Sequence, residues 1–332
     1  MRCLALMTSL ALSTPALADV PKVVTDIAPV HSLVASVMGD LGTPDLILPA
    51  DGDPHHFQLR PSQMRALDEA DLVFWVGPAL TPWLEDVLHS NASSGRVEVQ
   101  LLDPAHLPMV IAGSVAMVSV EMEPHDDDMA EETHEGHNDG EHADTHDGDH
   151  DGGHAHDHGP IDPHIWLDPM NGAHFLTEIA EALSDLDPAN AAIYSANAQA
   201  TKARLITLTD RLTQDLRPLR HAVLIPYHDA YKYFFIRFDL DISGSLADTE
   251  AAAPSAARIR EIRDMLATQT RPCLFREPGA NDNLIASVLP SGHDAVISHL
   301  DGLGSTLTPG PTLYETLIED MAKAIRACAP RP

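Results

Sequence analysis

The chain has 332 residues, 50 Asp/Glu against 20 Lys/Arg, a net charge of −30 and 44% hydrophobic residues. This length and apolar content suit two domains of roughly 150 residues, or one large one, around a substantial core. The acidic balance argues against nucleic acid, because phosphate binding needs Lys/Arg patches. The first residues read as a secretory signal peptide at 1–18. Arg2 gives a positive start, Leu4 to Leu12 a short apolar stretch, and "ALA" at 16–18 a small-residue cleavage site before Asp19. The apolar stretch is too short to span a bilayer, and no other segment reaches that length. The expected mature protein is exported and soluble. Cys3 leaves with the signal. Cys273 and Cys328 remain as an even pair in an oxidising compartment. A disulfide between a core strand and the last helix is the natural reading; two free buried thiols are the alternative.

Strand and helix signals then alternate. "KVVTDIAPV" (22–30) is a β-branched run, and "HSLVASVMGD" a helix ending at Gly39. "PDLILPA" (44–50) is a short strand. Pro61 opens the helix "SQMRALDEA", in keeping with proline's place in a first turn. "DLVFWVG" (71–77) is a continuous apolar strand, and "PWLEDVLHS" a helix after it. Apolar strands alternating with helices predict a mostly parallel sheet covered on both faces.

Residues 121–160 break this pattern. They hold fifteen Asp/Glu, nine His and no Lys or Arg, so half of the net charge lies in about an eighth of the chain. Without aromatic or β-branched aliphatic residues, the stretch has too little apolar surface to offset its ordering entropy, and a disordered loop is expected. From about 171 to 218 the chain reads as linking helices. The second of them has no Gly or Pro before Pro218, runs roughly 28 residues and reaches roughly 40 Å. It suits a rigid spine between two α/β lobes, at 19–170 and 219–332. The second lobe repeats the alternation: strand 221–227, helix 229–238, helix 255–269, strand 272–277, helix 283–290, strand 294–300, and a closing helix at 312–329.

Three histidines outside the loop share a placement. His55 in "DGDPHHFQLRPS" follows a strand. His164 lies in "DPHIWLDP". His228 in "IPYHDAYKYF" sits between a strand end and a helix. Asp301 in "SHLDGLG" again follows a strand. Ligands of open α/β sheets gather beyond the carboxyl ends of strands, so a metal bound by all four, drawn from both sides of the spine, would sit between the lobes; a structural role for each histidine is the alternative that the spacing alone leaves open. Three imidazoles with a carboxylate or water suit Zn2+, whereas an oxygen-rich set would favour manganese. His56 competes with His55 for that role. Asp168 and Glu277 are candidates to orient a ligand imidazole through its second ring nitrogen, a surface ion pair or helix cap being the alternative. Trp166, Tyr231, Tyr233, Phe234 and Phe235 read as core. His31, His174, His221, His293 and His299 read as surface or packing residues. The loop histidines His134, His137, His142, His146, His150, His154, His156 and His158 form a second class, able to collect zinc with lower affinity because ordering the loop costs entropy.

The motifs "PHHFQLRPSQ", "DPHIWLDP", "YHDAYKYF" and "FREPG…SHLDGLG", in this order, resemble those of the periplasmic zinc-binding proteins of ABC transporters. That is the ZnuA-type branch of the cluster A-I metal-binding family. The resemblance covers essentially the whole mature chain and includes a histidine-rich acidic insertion. It implies one zinc held by His55, His164 and His228 in a cleft between lobes, with Asp301 or water as the fourth ligand. Manganese-binding relatives carry Glu where this chain has His228. The resemblance also implies the Cys273–Cys328 disulfide, a periplasmic location, and a membrane permease as partner, reached through peripheral contact at the inner membrane. A monomer and a binding function without catalysis are expected. A secreted zinc hydrolase is the second, less favoured reading: three His ligands and a water also describe catalytic zinc, but there is no H-E-x-x-H pair and no evident general base. A manganese-binding homologue and a periplasmic zinc buffer acting through the loop alone stay open as alternatives.

Overall fold

The computed structural model describes residues 20–90, 95–102, 162–247, 254–269, 271–280, 282–289 and 295–329. The expected signal peptide at 1–18, the His/Asp-rich loop at 121–160 and His293 lie outside the described residues. The N-terminal part runs β1 (Val23–Thr25), α1 (Ala28–Met38), β2 (Asp45–Leu46), α2 (Pro61–Glu69), β3 (Leu72–Trp75), α3 (Pro82–Ser90) and β4 (Val97–Gln100). Two helices follow, α4 (Pro169–Leu186) and α5 (Ala191–Leu216). The C-terminal part runs β5 (Leu224–Ile225), α6 (Lys232–Arg237), α7 (Ala256–Ala267), β6 (Cys273–Arg276), α8 (Asp282–Val288), β7 (Val296–His299) and α9 (Leu313–Arg326).

Both sheets are parallel throughout, in the orders β2-β1-β3-β4 and β5-β6-β7. The period-2 geometry of a strand explains why their apolar runs are continuous, since each strand serves two apolar layers. Val23, Leu72 and Phe74 enter the large central core, whereas Val24, Val73 and Trp75 enter a smaller cluster under α2 and α3. In the second sheet, Leu224, Cys273 and Phe275 join the same central core, and Ile225 and Leu274 pack toward α7 and α8.

The 26 residues of α5 span about 39 Å, as the spine reading requires. The helix is not a bare strut, however. It packs on α4, α1 and α9, and one apolar cluster runs through these helices to the inner faces of both sheets. Asn197 on α5 donates to Val37 O at the end of α1 at 3.0 Å. A side chain at Gly39, where φ is +56°, would strike that same amide. This close approach and the left-handed backbone both call for glycine there. The Cys273–Cys328 disulfide is present, with Cα atoms 5.7 Å apart, and ties β6 to the end of α9.

The predicted strands run longer than the observed ones. The 22–30 run ends as a strand at Thr25 because Asp26 turns inward and Pro29 lies in the first turn of α1. Asp26 is fully buried just past β1, and its carboxylate accepts from Ile27 N at 2.7 Å and, just past β3, from Val76 N at 2.8 Å. Burial outweighs these two donors and pushes its pKa up to about 7. Strand β4 carries no expectation from the sequence, because its exposed edge pattern "VEVQ" lacks an apolar run.

A candidate metal centre between the two sheets

The residues that could carry chemistry stand where parallel strands end. In the second sheet, β5 leads to His228, β6 directly to Glu277, and β7 to Asp301. His55 lies on the connection from β2 to α2, and His164 immediately precedes a 3-10 turn, Ile165–Leu167. A cavity of about 540 Å3 lies between these loops. Its walls come from residues 50–54 on one side and from His164, Tyr227, His228, Glu277 and Asp301 on the other.

The three histidines predicted from the sequence come together. The ring centres of His55 and His164 are 5.9 Å apart, and those of His164 and His228 5.6 Å apart. All three residues are buried. Imidazoles sharing a tetrahedral zinc through nitrogens about 2.0–2.1 Å from the metal would have ring centres about 5 Å apart. The observed spacing is therefore slightly open. Among the described residues, no three His, Cys, Asp or Glu side chains are arranged so as to hold a metal ion as they stand.

Two rings are held in a defined orientation. His164 Nδ1 donates to Asp162 Oδ1 at 2.7 Å, and His228 Nδ1 donates to Glu277 Oε2 at 2.6 Å. An ionised carboxylate can only accept, so the ring proton sits on Nδ1 and Nε2 is the nitrogen of this tautomer that a metal would take. Burial disfavours charge on Asp162, but its hydrogen bonds with His164, together with the attraction of His164 and Lys232, outweigh that, and its pKa falls below the ordinary carboxylate value. Around His228 and His164 the wall is aromatic, with Tyr231 at 6.0 Å and Trp166 at 5.4 Å between ring centres.

His55 and His164 share a local device. Each is the third residue of an Asp-Pro-His triplet, and in each the aspartate accepts the histidine backbone N–H, at 2.8 Å from Asp53 and 3.0 Å from Asp162. Proline fixes φ between acceptor and donor, so the triplet closes as a small side-chain turn. The repeat of Asp-Pro-His is visible in the sequence and would have found Asp162, which the sequence reading missed. Asp53 also meets His56 Nδ1 at 3.1 Å, and the His56 side chain is 54% exposed, at the rim rather than in the cluster.

Asp301 lines the cavity, but both its oxygens are engaged by its own loop. They accept from the backbone N–H groups of Ser305 and Thr306 at 2.9 Å each, and from both hydroxyls. Glu277 does orient an imidazole. Asp168 does not: it caps α4 by accepting from Met170 N and forms a two-bond ion pair with Arg237, at 2.6 and 2.5 Å. Trp166, Tyr231, Phe234 and Phe235 are buried in the central core, with Tyr233 partly buried against it. The remaining predicted bystanders lie apart from the cluster. His31 is buried on α1 against Pro44 O, His174 pairs with Glu178, His221 pairs with Asp241 at the surface, and His299 is exposed on β7. No helix among the described residues is long and apolar enough to cross a membrane.

The family model for ZnuA, the periplasmic component A of zinc-uptake complexes, matches residues 23–328. The high-affinity zinc uptake system protein ZnuA of Paracoccus denitrificans (strain Pd 1222) is 44% identical over 314 residues, which cover 95% of this chain and 93% of that protein. The protein of the same name from Brucella abortus (strain 2308) is 36% identical over 312 residues, covering 93% and 92%. A crystal structure of ZnuA, 23% identical in sequence, superposes with a TM-score of 0.65 and covers 92% of this chain and 100% of that one. With these matches spanning both sheets and the helices between them, the chain belongs to the ZnuA family of periplasmic zinc-uptake proteins.

Proposed function

We propose that the protein captures one Zn2+ between the sheets through His55, His164 and His228, and delivers it to the membrane permease of an ABC transporter. Asp301 or a water completes the site. The observation that best supports this reading is the pair of carboxylate-held imidazoles, His164 on Asp162 and His228 on Glu277, with His55 in ring contact beside them. Three neutral nitrogen donors suit zinc better than manganese, which prefers oxygen. Neutral imidazoles are needed for capture, so affinity falls as pH drops through the imidazole range. The site binds rather than catalyses.

The histidines at 134–158 act as a lower-affinity collecting segment that raises the local zinc concentration near the cleft. The chain is exported on the signal at 1–18, cleaved after Ala18, and works as a monomer that touches the inner-membrane complex peripherally. The test is zinc stoichiometry and affinity by chelator competition for the full chain, a 125–158 deletion and His228→Ala. One tight zinc is expected in the first two, and its loss in the third. Tight binding that disappears with the deletion, or survives His228→Ala, overturns the proposal.

A further inference from the structure

The segment 162–168, which carries His164, precedes α4 in sequence, yet its hydrogen bonds reach into the C-terminal half of the chain. Tyr233 Oη on α6 donates to Asp162 O at 3.1 Å. Trp166 Nε1 donates to Gly302 O at 2.8 Å, just past β7. Tyr314 Oη on α9 donates to Trp166 O at 2.6 Å. Arg237 on α6 grips Asp168 through both carboxylate oxygens, and this pair is largely buried. Such a two-bond pair fixes direction as well as distance. His228 belongs to the same body through β5 and through Glu277, just past β6.

The loop carrying His55 is held differently. Among the described residues its bonds include His55 N to Asp53 and Gly52 N to Pro49 O, and one to Trp83 of α3, whose Nε1 donates to Pro54 O at 2.7 Å. Asp51 and His56 on this loop are exposed. The cavity thus has one wall on the N-terminal sheet and its other walls on, or clamped to, the C-terminal half.

We infer that His164 and His228 form a preset pair, that His55 is the closing ligand, and that Arg237 and Tyr314 are positioning residues which tie His164 to its partner. The inference rests on the ligand set proposed above. Zinc enters onto the pair, and the 50–57 loop then brings His55 onto it. Release reverses the order, and loss of the His55 bond comes first.

The test uses the full chain and follows the Nδ1–H proton resonances of His164 and His228 by NMR during zinc addition, alongside chelator competition. In His55→Ala, zinc still shifts both resonances, at weakened affinity. In His164→Ala, the His228 resonance no longer responds at the same zinc level. Arg237→Gln weakens zinc about tenfold, the lower end for partners that orient a ligand, and moves the His164 resonance while leaving that of His228 in place. Arg237→Lys recovers part of the loss. Tyr314→Phe removes only the hydroxyl and shifts the His164 resonance in the same sense, should the Arg237 variants fold poorly. If His55→Ala behaves like His164→Ala, or if Arg237→Gln and Tyr314→Phe leave affinity and the His164 resonance unchanged, the inference fails while the ligand set stands. If zinc moves neither resonance in the unmodified chain, the ligand set itself fails.

Discussion

Glu277→Gln isolates the contribution of one outer contact to metal binding. Glu277 is buried, and the bond it accepts from His228 Nδ1 is 2.6 Å long. A hydrogen bond to a charged group contributes about 1.5–3 kcal/mol, and a neutral one about 0.5–1.5 kcal/mol. Glutamine keeps the volume and a carbonyl acceptor, so the difference, about 1–1.5 kcal/mol, is what the substitution removes. The bond is already made before metal arrives, so only the part it gains as the metal polarises the imidazole reaches Kd, and the expected weakening is up to roughly tenfold. The assay is competition against a chromophoric chelator at neutral pH, with circular dichroism of the metal-free variant as the folding control. An unchanged Kd would show that His228 does not need its carboxylate. A loss as large as that of His228→Ala would show that Glu277 does more than orient it. Either result refutes the reasoning.

Stability should fall with rising pH at one buried group. Asp26 is raised by burial to about 7 in the folded chain, from 3.8. The folded state therefore holds a proton that the unfolded state has lost across this window. The stabilisation is full below about pH 4 and is lost as pH rises toward 7, by up to roughly 4 kcal/mol. Denaturant melts of metal-free protein between pH 4 and 7 should slope downward, and Asp26→Asn should remove that slope whatever its absolute stability; an equal slope in both proteins would contradict the assignment. Replacing Cys273 and Cys328 by serine opens a cross-link spanning 55 residues, with an expected loss of about 4 kcal/mol in the same melts. A change below about 1 kcal/mol would mean that the unfolded chain is already restrained there.

The fold was legible where one local pattern decides an element. Continuous apolar strands such as 71–77 announced a sheet buried on both faces, and the Gly- and Pro-free run after 190 announced α5. Strand ends were not legible. The chain leaves β1 at Asp26, whose carboxylate meets Val76 N 50 residues away, and β4 sits at an edge where Val97 faces solvent. The site divides in the same way. His55, His164 and His228 stand in local contexts that mark them. The role of Asp168 could not be read locally, because a carboxylate before a helix looks the same whether it orients an imidazole, caps the helix or meets an arginine. Its partner Arg237 lies 69 residues away, and Tyr314 lies 148 from Trp166. Contacts of that range leave no periodicity in the sequence.

The shared core also limits how the protein can open. Leu72 and Phe74 of the first sheet, Leu224 and Phe275 of the second, and Tyr194, Leu205, Leu212 and Ile318 of the helices between them belong to one buried cluster. A wide hinge motion between the sheets would draw several of these into water. Each large apolar side chain so exposed costs about 1.5–3 kcal/mol, so five cost roughly 10 kcal/mol. That approaches the whole free energy of a nanomolar complex, about 12 kcal/mol. Metal release driven by such an opening would consume most of what binding supplies. A loop of eight residues, 50–57, tied to Trp83 of α3 through Pro54, meets that cluster through Phe57 among the described residues and can move without opening it. Small-angle scattering curves with and without one equivalent of zinc are therefore expected to superpose. A marked contraction on zinc binding would show that the sheets do separate, and that the common core is not the restraint argued here.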